Sequence, residues 1–564
     1  MLATYRYPEY AYRRPPELGA AELRRCPLVV VGAGPVGLAA AIDCAQLGLP
    51  VLLLDDDNTV SVGSRGLCYA KRTLEILDRL GCGDAVVDKG VTWNIGRTFH
   101  RDDEVFRFDL LPESGHRRPG MVNLQQYYLE EFLVRRAGQL PAIELRWKHK
   151  VVAVHPEPDG ARLEIDTVDG RYTLHADWLI VADGARSSIR RQLGLDVVGK
   201  VFQDRFLIAD VLMKADFPAE RWFWFDPPFH PGQSVLLHRE ADNVWRIDFQ
   251  LGWDADAEAE KQPERVIPRI RAMLGPDRDF ELEWVSVYTF QCRRMARFRH
   301  GRLLFVGDVA HQVSPFGARG ANSGIQDSDN LGWKLKLVVD GRAPEALVDS
   351  YDEERTVAAD ENLLNSTRST DFMTPKSQVS KDFRNAVLTL AREHAFARAL
   401  VNSGRLSVPA HLRQSSLNTP DGDAFAGTMG PGAPIDDAPV ATGGVPGWLL
   451  QHVGNRFVLL LFVAGGEAPA QRDALAALAA DAIPVETLVV AIGAAAIATP
   501  GIAMVVDGDG LAARRFDARP GTAYLIRPDQ HVAARWRAFD AAAVRAAVAR
   551  ATCNDPRGAT PCRT

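Results

Sequence analysis

The chain has 564 residues, with 66 basic against 72 acidic side chains, a net charge of −6, and 46% apolar and 24% charged residues. That apolar content excludes disorder as the dominant state, and that length exceeds one hydrophobic core, so two or three domains are expected. The mild acidity argues against nucleic acid or an anionic membrane surface as the main partner.

The opening residues, MLATYRYPEYAYRRPPELGAAELRR, lack the apolar core of a signal peptide, and the longest apolar stretch, 488–498, is far short of a membrane span. Both point to a cytoplasmic chain. The seven cysteines, Cys26, Cys44, Cys68, Cys82, Cys292, Cys553 and Cys562, form no C-x-x-C pair and no zinc spacing. They read as free thiols in a reducing compartment, and no metal is expected.

Residues 27–31, PLVVV, have the unbroken apolar character of a buried parallel strand. They run into Gly32-Ala33-Gly34-Pro35-Val36-Gly37, a predicted helix over 38–48, and a second apolar strand, 51–54, ending on Asp55 with Asp56 beside it. This is a βαβ unit with G-x-G-x-x-G at its first turn. Gly32 permits the tight turn, Gly34 lets backbone approach a pyrophosphate, and Gly37 lets the helix pack on the sheet. The helix start offers free N–H groups to phosphate, and Asp55 can accept from ribose hydroxyls.

Further strands are predicted at 177–181, leading into Asp183-Gly184 and a short helix, and at 302–306, ending in Gly307-Asp308. After the second comes a loop rich in proline and glycine, 315–320, and a helix from 322 through 336. Between these segments, 198–290 has period-two alternation, clearest in Trp245-Arg246-Ile247-Asp248-Phe249-Gln250, which predicts an antiparallel sheet inserted as a second domain. Within it Trp222 and Trp224 share one strand face and Phe223 and Phe225 the other. Residues 376–430 read as a linker. Beyond it, strands at 457–463, 486–492 and 523–526 and a helix near 470–480 predict a small α/β unit.

The G-x-G-x-x-G unit, Asp183-Gly184, and Gly307-Asp308 with its loop together resemble the class A flavoprotein aromatic hydroxylases of the para-hydroxybenzoate hydroxylase type. The 3-(3-hydroxyphenyl)propionate and phenol hydroxylase branch is nearest in look. The resemblance implies an α/β fold: a Rossmann-like FAD-binding domain, an inserted antiparallel substrate domain, and a C-terminal thioredoxin-like domain. On that scheme 1–24 is an extension, 25–197 with 290–375 binds FAD, 198–289 with part of 91–120 binds substrate, 376–430 links, 431–550 is thioredoxin-like, and 551–564 is a tail. With no cysteine between 431 and 550, that third unit is left a structural or dimerising role.

The resemblance also assigns residues. Gly32, Gly34, Pro35, Gly37, Asp55 and Asp56 match the FAD pyrophosphate and ribose motif, and Arg65 an arginine beside the FAD, its other reading being a solvated loop charge. Gln126 matches a glutamine touching FAD, ambiguous by one residue with Gln125. Asp183 and Gly184 match a motif for FAD and NAD(P)H, and Gly307 and Asp308 the ribityl contact. The flavin ring is expected against Pro315, Gly317, Gly320, Ala321 and Asn322, whose N–H groups can stabilise negative charge on a reduced flavin. His311 reads as structural.

The implied chemistry uses FAD, NADH or NADPH and O2: the nicotinamide reduces FAD, oxygen adds at flavin C4a, and the hydroperoxide hydroxylates a phenolic ring. Trp222, Trp224, Arg246 and Asp248 are candidates for the substrate pocket, and His230, His238 and Tyr288 for handling the phenol. The partner expected is a small aromatic molecule, with no nucleic acid and no membrane, in a homodimer. Two alternatives stay open: Baeyer–Villiger or polyketide oxygenation on the same fold, and a flavin-binding protein without turnover. The Trp222–Pro227 segment partly matches the W-x-W-x-I-P signature of flavin halogenases, with Asp226 in place of the isoleucine.

Overall fold

The computed structural model describes residues 2–402 and 406–555; Cys562 and positions 556–564 of the expected tail lie outside the described residues. The apolar run at the start of the βαβ unit forms the strand Arg24–Val31, buried over its last four residues. It pairs in parallel with Val51–Asp55 on one side and Gly170–Val181 on the other, and the latter pairs in parallel with Leu303–Phe305. An antiparallel hairpin, Lys150–Glu157 and Gly160–Thr167, extends this eight-stranded sheet. The helix Pro35–Gln46 covers one face and begins three residues earlier than the sequence pattern predicts, because proline at the first helical position needs no N–H partner.

The inserted region is a second eight-stranded sheet. Two long strands, Val197–Leu212 and Glu281–Met295, form an antiparallel ribbon from Val197↔Met295 to Leu212↔Glu281, and this ribbon carries the chain out from the first sheet and back. Val244–Leu251, Ser234–Arg239 and Arg221–Phe225 follow in antiparallel order. Ile95–His100 then joins Arg221–Phe225 in parallel, so a segment far upstream completes the sheet.

The outer face of this sheet packs Trp224, Trp245, Ile247 and Phe249 against Val266 and Ile270 of the helix Pro263–Leu274. The inner face places Phe206, Phe223, Phe225 and Phe290 against Phe316, Met373 and Leu388. The last two belong to the helices Ala346–Met373 and Gln378–Ala391. The second of these corrects the prediction of linker for this stretch: Val387, Leu388 and Ala391 are buried at helical spacing, and Ser377 caps the helix start.

The C-terminal unit is a seven-stranded mixed sheet. Phe457–Ala464, Val485–Ile492 and Ala503–Asp507 run parallel, and Ala523–Ile526 joins antiparallel. Leu459 and Leu461 pack on Trp333 and Leu337 of the helix Gly320–Val339, so this unit rests on the first domain. Among the described residues no helix is long and apolar enough to cross a membrane.

Candidate active site

Val31, Val181 and Phe305 stand level on adjacent parallel strands. The three motifs therefore begin side by side at the carboxyl edge of the sheet, where open α/β sheets bind ligands. Their packing is close. A Cβ on Gly32, whose φ is +105°, would collide with the Ala182 carbonyl, and one on Gly37 with the carbonyl of Gly32. A Cβ on Gly307, at φ +68°, would lie 3.0 Å from Val36 Cγ2. A Cβ on Gly34 would meet nothing within 4 Å. The helix after Gly34 has no side-chain cap, so its first N–H groups face this opening.

Asp55 is committed to the turn: Oδ2 accepts from Ala33 N at 2.5 Å and Oδ1 from Asp57 N at 2.8 Å. Burial pushes its carboxyl up to about 6. Asp56 is exposed beside it. Asp183 Oδ2 accepts from Ser188 N at 3.0 Å, while its Oδ1 is buried with no hydrogen-bond partner. Gly184, at φ +77°, has open space around it.

Asp308 is exposed at the cleft, following Gly307, whose N–H donates to Asp327. Asp327 also binds His311 Nε2 at 2.6 Å and Arg355 at 2.7 Å, so His311 is a buried structural residue, as its context predicts. The residues expected against the flavin ring form a short 3-10 turn, Pro315–Gly317, then Ala318 at φ +50° and the uncapped start of the helix at Gly320. Ala321 is half-buried in that first turn. The Asn322 side chain is occupied: it accepts from Ala70 N and donates to Cys68 O, each at 2.8 Å, tying the helix start to a neighbouring strand.

Gln126 and Gln125 separate. Gln126 Oε1 accepts from Gly66 N at 2.8 Å and so supports the loop carrying the exposed Arg65, whereas Gln125 donates to Ala241 O at 3.2 Å, toward the inserted sheet.

The pocket candidates divide by sheet face. Trp222 and Trp224 lie on the outer face in the core under the helix Pro263–Leu274, with Arg246 and Asp248 on the inner face. The expectation that these four line one pocket is corrected, because neighbouring positions along a strand point oppositely. His230 packs edge-on to Phe249 of the outer core and bonds Gln250 O at 2.7 Å, which removes it from the cleft. His238 is on the inner face but buried; its ring lies 3.4 Å from Asn123 Nδ2, and burial, with Arg221 and Arg246 nearby, holds it neutral.

Tyr288 is 45% exposed, and its ring lies 5.6 Å from Phe290, which in turn stacks edge-on to Phe316 of the Pro315–Gly317 turn. Partial burial and the charge of Asp308 push its phenol up to about 12. Of the three candidates for phenol handling, Tyr288 alone opens to the cleft. Phe206, Phe223, Phe225, Phe290 and Phe316 form a buried aromatic core behind Tyr288, each at most 3% exposed. Alternation predicts that the two phenylalanines of the Trp222–Phe225 run share a face, but no local signal tells which face turns inward.

These features define a dinucleotide cradle backed by the aromatic core of the inserted sheet. Residues 25–366 match the family described as FAD binding domain, and the chain belongs to that family: it is a flavin-dependent oxidoreductase of the class A aromatic hydroxylase kind. The chain is 32% identical over 534 residues to the 6-methylpretetramide 4-monooxygenase of Streptomyces rimosus, covering 90% of each chain. A 3-(3-hydroxy-phenyl)propionate/3-hydroxycinnamic acid hydroxylase of Mycolicibacterium smegmatis is 29% identical over 337 residues, 58% of each chain. The crystal structure of the flavin-dependent monooxygenase PieE in complex with FAD and substrate superposes with a TM-score of 0.78 at 26% identity, over 94% of this chain and 99% of that one.

The residues present fit FAD. Gly34 leaves room that a side chain would fill, Asp183 Oδ1 is a buried acceptor without a donor, and two helix starts lack caps.

Proposed function

We propose that this chain hydroxylates a phenolic ring with FAD, NAD(P)H and O2. The observation that carries the reading is the convergence of Gly32–Gly37, Asp183 and Gly307–Asp308 at one sheet edge, beside an inserted sheet that exposes Tyr288. FAD, when bound, supplies hydride acceptance from the nicotinamide and oxygen transfer to the ring. The N–H groups after Gly34 take the pyrophosphate, and Asp55 and Asp56 stand at the ribose end. Arg65 and the Asp183–Gly184 turn border the same cofactor, and Asp308 accepts from the ribityl chain. The N–H groups of Gly320, Ala321 and Asn322 stabilise negative charge at the ring's pyrimidine edge. The inserted sheet borders the substrate ring, and the buried phenylalanines behind Tyr288 keep that side dry. Tyr288, with its hydroxyl in the cleft, holds the phenol oxygen by a hydrogen bond.

The full-length match to the 6-methylpretetramide enzyme, against 58% for the hydroxyphenylpropionate enzyme, favours a substrate of the former's class. The C-terminal unit, by the same reading, is thioredoxin-like without redox chemistry, and the enzyme is a homodimer.

Purified enzyme is expected to oxidise NAD(P)H faster with one member of a panel holding 3-(3-hydroxyphenyl)propionate, p-nitrophenol and 6-methylpretetramide, and to place one atom of labelled O2 in the product. Indifference to every phenol, or product oxygen drawn from water, overturns the reading. Tyr288→Phe is expected to lower kcat/KM about tenfold, the value of one lost hydrogen bond of about 1.4 kcal/mol, with FAD affinity unchanged.

A further inference from the structure

Behind the Arg65 loop, on the inner face of the inserted sheet, two carboxyl groups meet away from solvent. Asp210 and Glu240 are 3% and 1% exposed. Ser64 Oγ lies 2.5 Å from Asp210 Oδ2 and 3.5 Å from Glu240 Oε1. Asp210 Oδ1 and Glu240 Oε2 have no hydrogen-bond partner. A serine hydroxyl carries one proton and cannot satisfy two anions. It can donate to an ionised Asp210 while accepting from a protonated Glu240, which gives each side of the bridge a donor and an acceptor.

The surrounding groups favour that single proton. Arg246 and Asp248 face the pair from the neighbouring strand, Glu283 from the strand Glu281–Met295, Tyr7 from the N-terminal segment, Tyr127 from the helix Gln126–Ala137, and Tyr69 from the strand Cys68–Ala70. Of these Arg246 is the one cation, set against the carboxyls of Asp210, Glu240, Asp248 and Glu283. Burial raises both members of the pair, and the charge of Asp210 raises Glu240 further. The loop is held from the same side: Arg246 Nη1 donates to Ser64 O at 2.7 Å, and Gly63 N to Tyr7 Oη at 2.9 Å.

We propose that Asp210 and Glu240 share one proton and, through Ser64, hold the Arg65 loop in place against the cofactor, so that loss of this proton to solvent loosens the loop. Asp210, Glu240 and Ser64 are positioning residues, and the inference rests on the placement of FAD beside Arg65. The docked loop keeps a proton that a free carboxyl gives up near pH 4. Docking is therefore strongest at low pH and weakens as pH rises through the pair's titration.

The test uses full-length protein from about pH 5 to about pH 9. FAD affinity is followed by flavin fluorescence, and the infrared C=O band of a protonated carboxyl is followed in the protein without FAD. Wild type is expected to lose affinity by up to about tenfold per pH unit, the limit for one proton, with the band fading over the same range. Glu240→Gln is expected to bind FAD with a flat pH profile and no band. Ser64→Ala, which keeps both carboxyls, is expected to bind weakly at every pH. A flat wild-type profile, or a slope unchanged in Glu240→Gln and Ser64→Ala, overturns the proposal. Should Glu240→Gln fail to fold, Ser64→Ala decides alone. Wild type that binds no FAD at any pH overturns the cofactor placement and this proposal with it, and the band then tells whether the pair itself holds a proton.

Discussion

Gly34 and Gly37 stand three positions apart and are glycine for different reasons. Gly37 has no room, since a Cβ would enter the Gly32 carbonyl; Gly34 has room and an ordinary φ of −74°. Gly37→Ala is thus expected to cost about 3 kcal/mol in urea denaturation, an overpacking penalty. Gly34→Ala is expected to stay within about 0.5 kcal/mol of wild type while weakening FAD binding at least about tenfold by fluorescence titration, because the new methyl fills the cofactor's approach. The close packing at Gly37 was legible because the constraint is local to the turn, and the open space at Gly34 agrees with the role expected of it. Asp55 was legible only in part: its position at the strand end was clear, but its bonds to Ala33 and Asp57 depend on how the turn closes. The Asp210–Ser64–Glu240 bridge joins residues 146 and 176 positions apart, and nothing in the local pattern announces it.

At the scale of elements, the strands and helices of the first and third sheets follow from their apolar runs, whereas surface-crossing pieces do not. The helix Gln378–Ala391 was read as linker because only its inner positions are apolar in a regular way, and Val379 and Phe383 are exposed. The N-terminal extension is likewise firmly attached. Glu17 bonds Arg146 at 2.8 and 2.9 Å and Arg24 at 2.7 Å. Burial alone would raise the Glu17 carboxyl; the arginines more than offset this and hold it at about 2. Because the carboxyl is depressed, its contribution is present above the ordinary pKa of about 4.5 and is lost as pH falls toward about 2. Glu17→Gln is expected to lower stability by about 2 kcal/mol at neutral pH, with urea midpoints of variant and wild type converging as the solution is acidified below about pH 4.

For the whole molecule, the decisive junction is ionic and buried. Arg527 of the C-terminal unit bonds Glu354 at 2.5 and 3.0 Å, and Lys334 Nζ reaches the same carboxylate at 2.6 Å. Asp529 closes the cluster on Arg527, and Arg72 donates to the Asp529 carbonyl at 2.8 Å. Glu354→Ala leaves the buried Lys334 without a carboxylate and Arg527 with Asp529 alone, and is expected to cost about 3–5 kcal/mol. It should shift one cooperative urea transition, read by fluorescence and by flavin release together. Two separate transitions in wild type would show instead that the C-terminal unit folds independently.

The ribbon of Val197–Leu212 and Glu281–Met295 carries most of the inserted sheet out and back on two chains one strand spacing apart, about 4.8 Å, while Ile95–His100 and Asp103–Asp109 complete it from upstream. A lobe mounted this way has four seams: grafting 197–295 alone from a relative leaves Arg221–Phe225 paired to a foreign upstream strand. Exchange between relatives thus has to move both segments together, and point substitution within the lobe is the simpler route to a new ring preference.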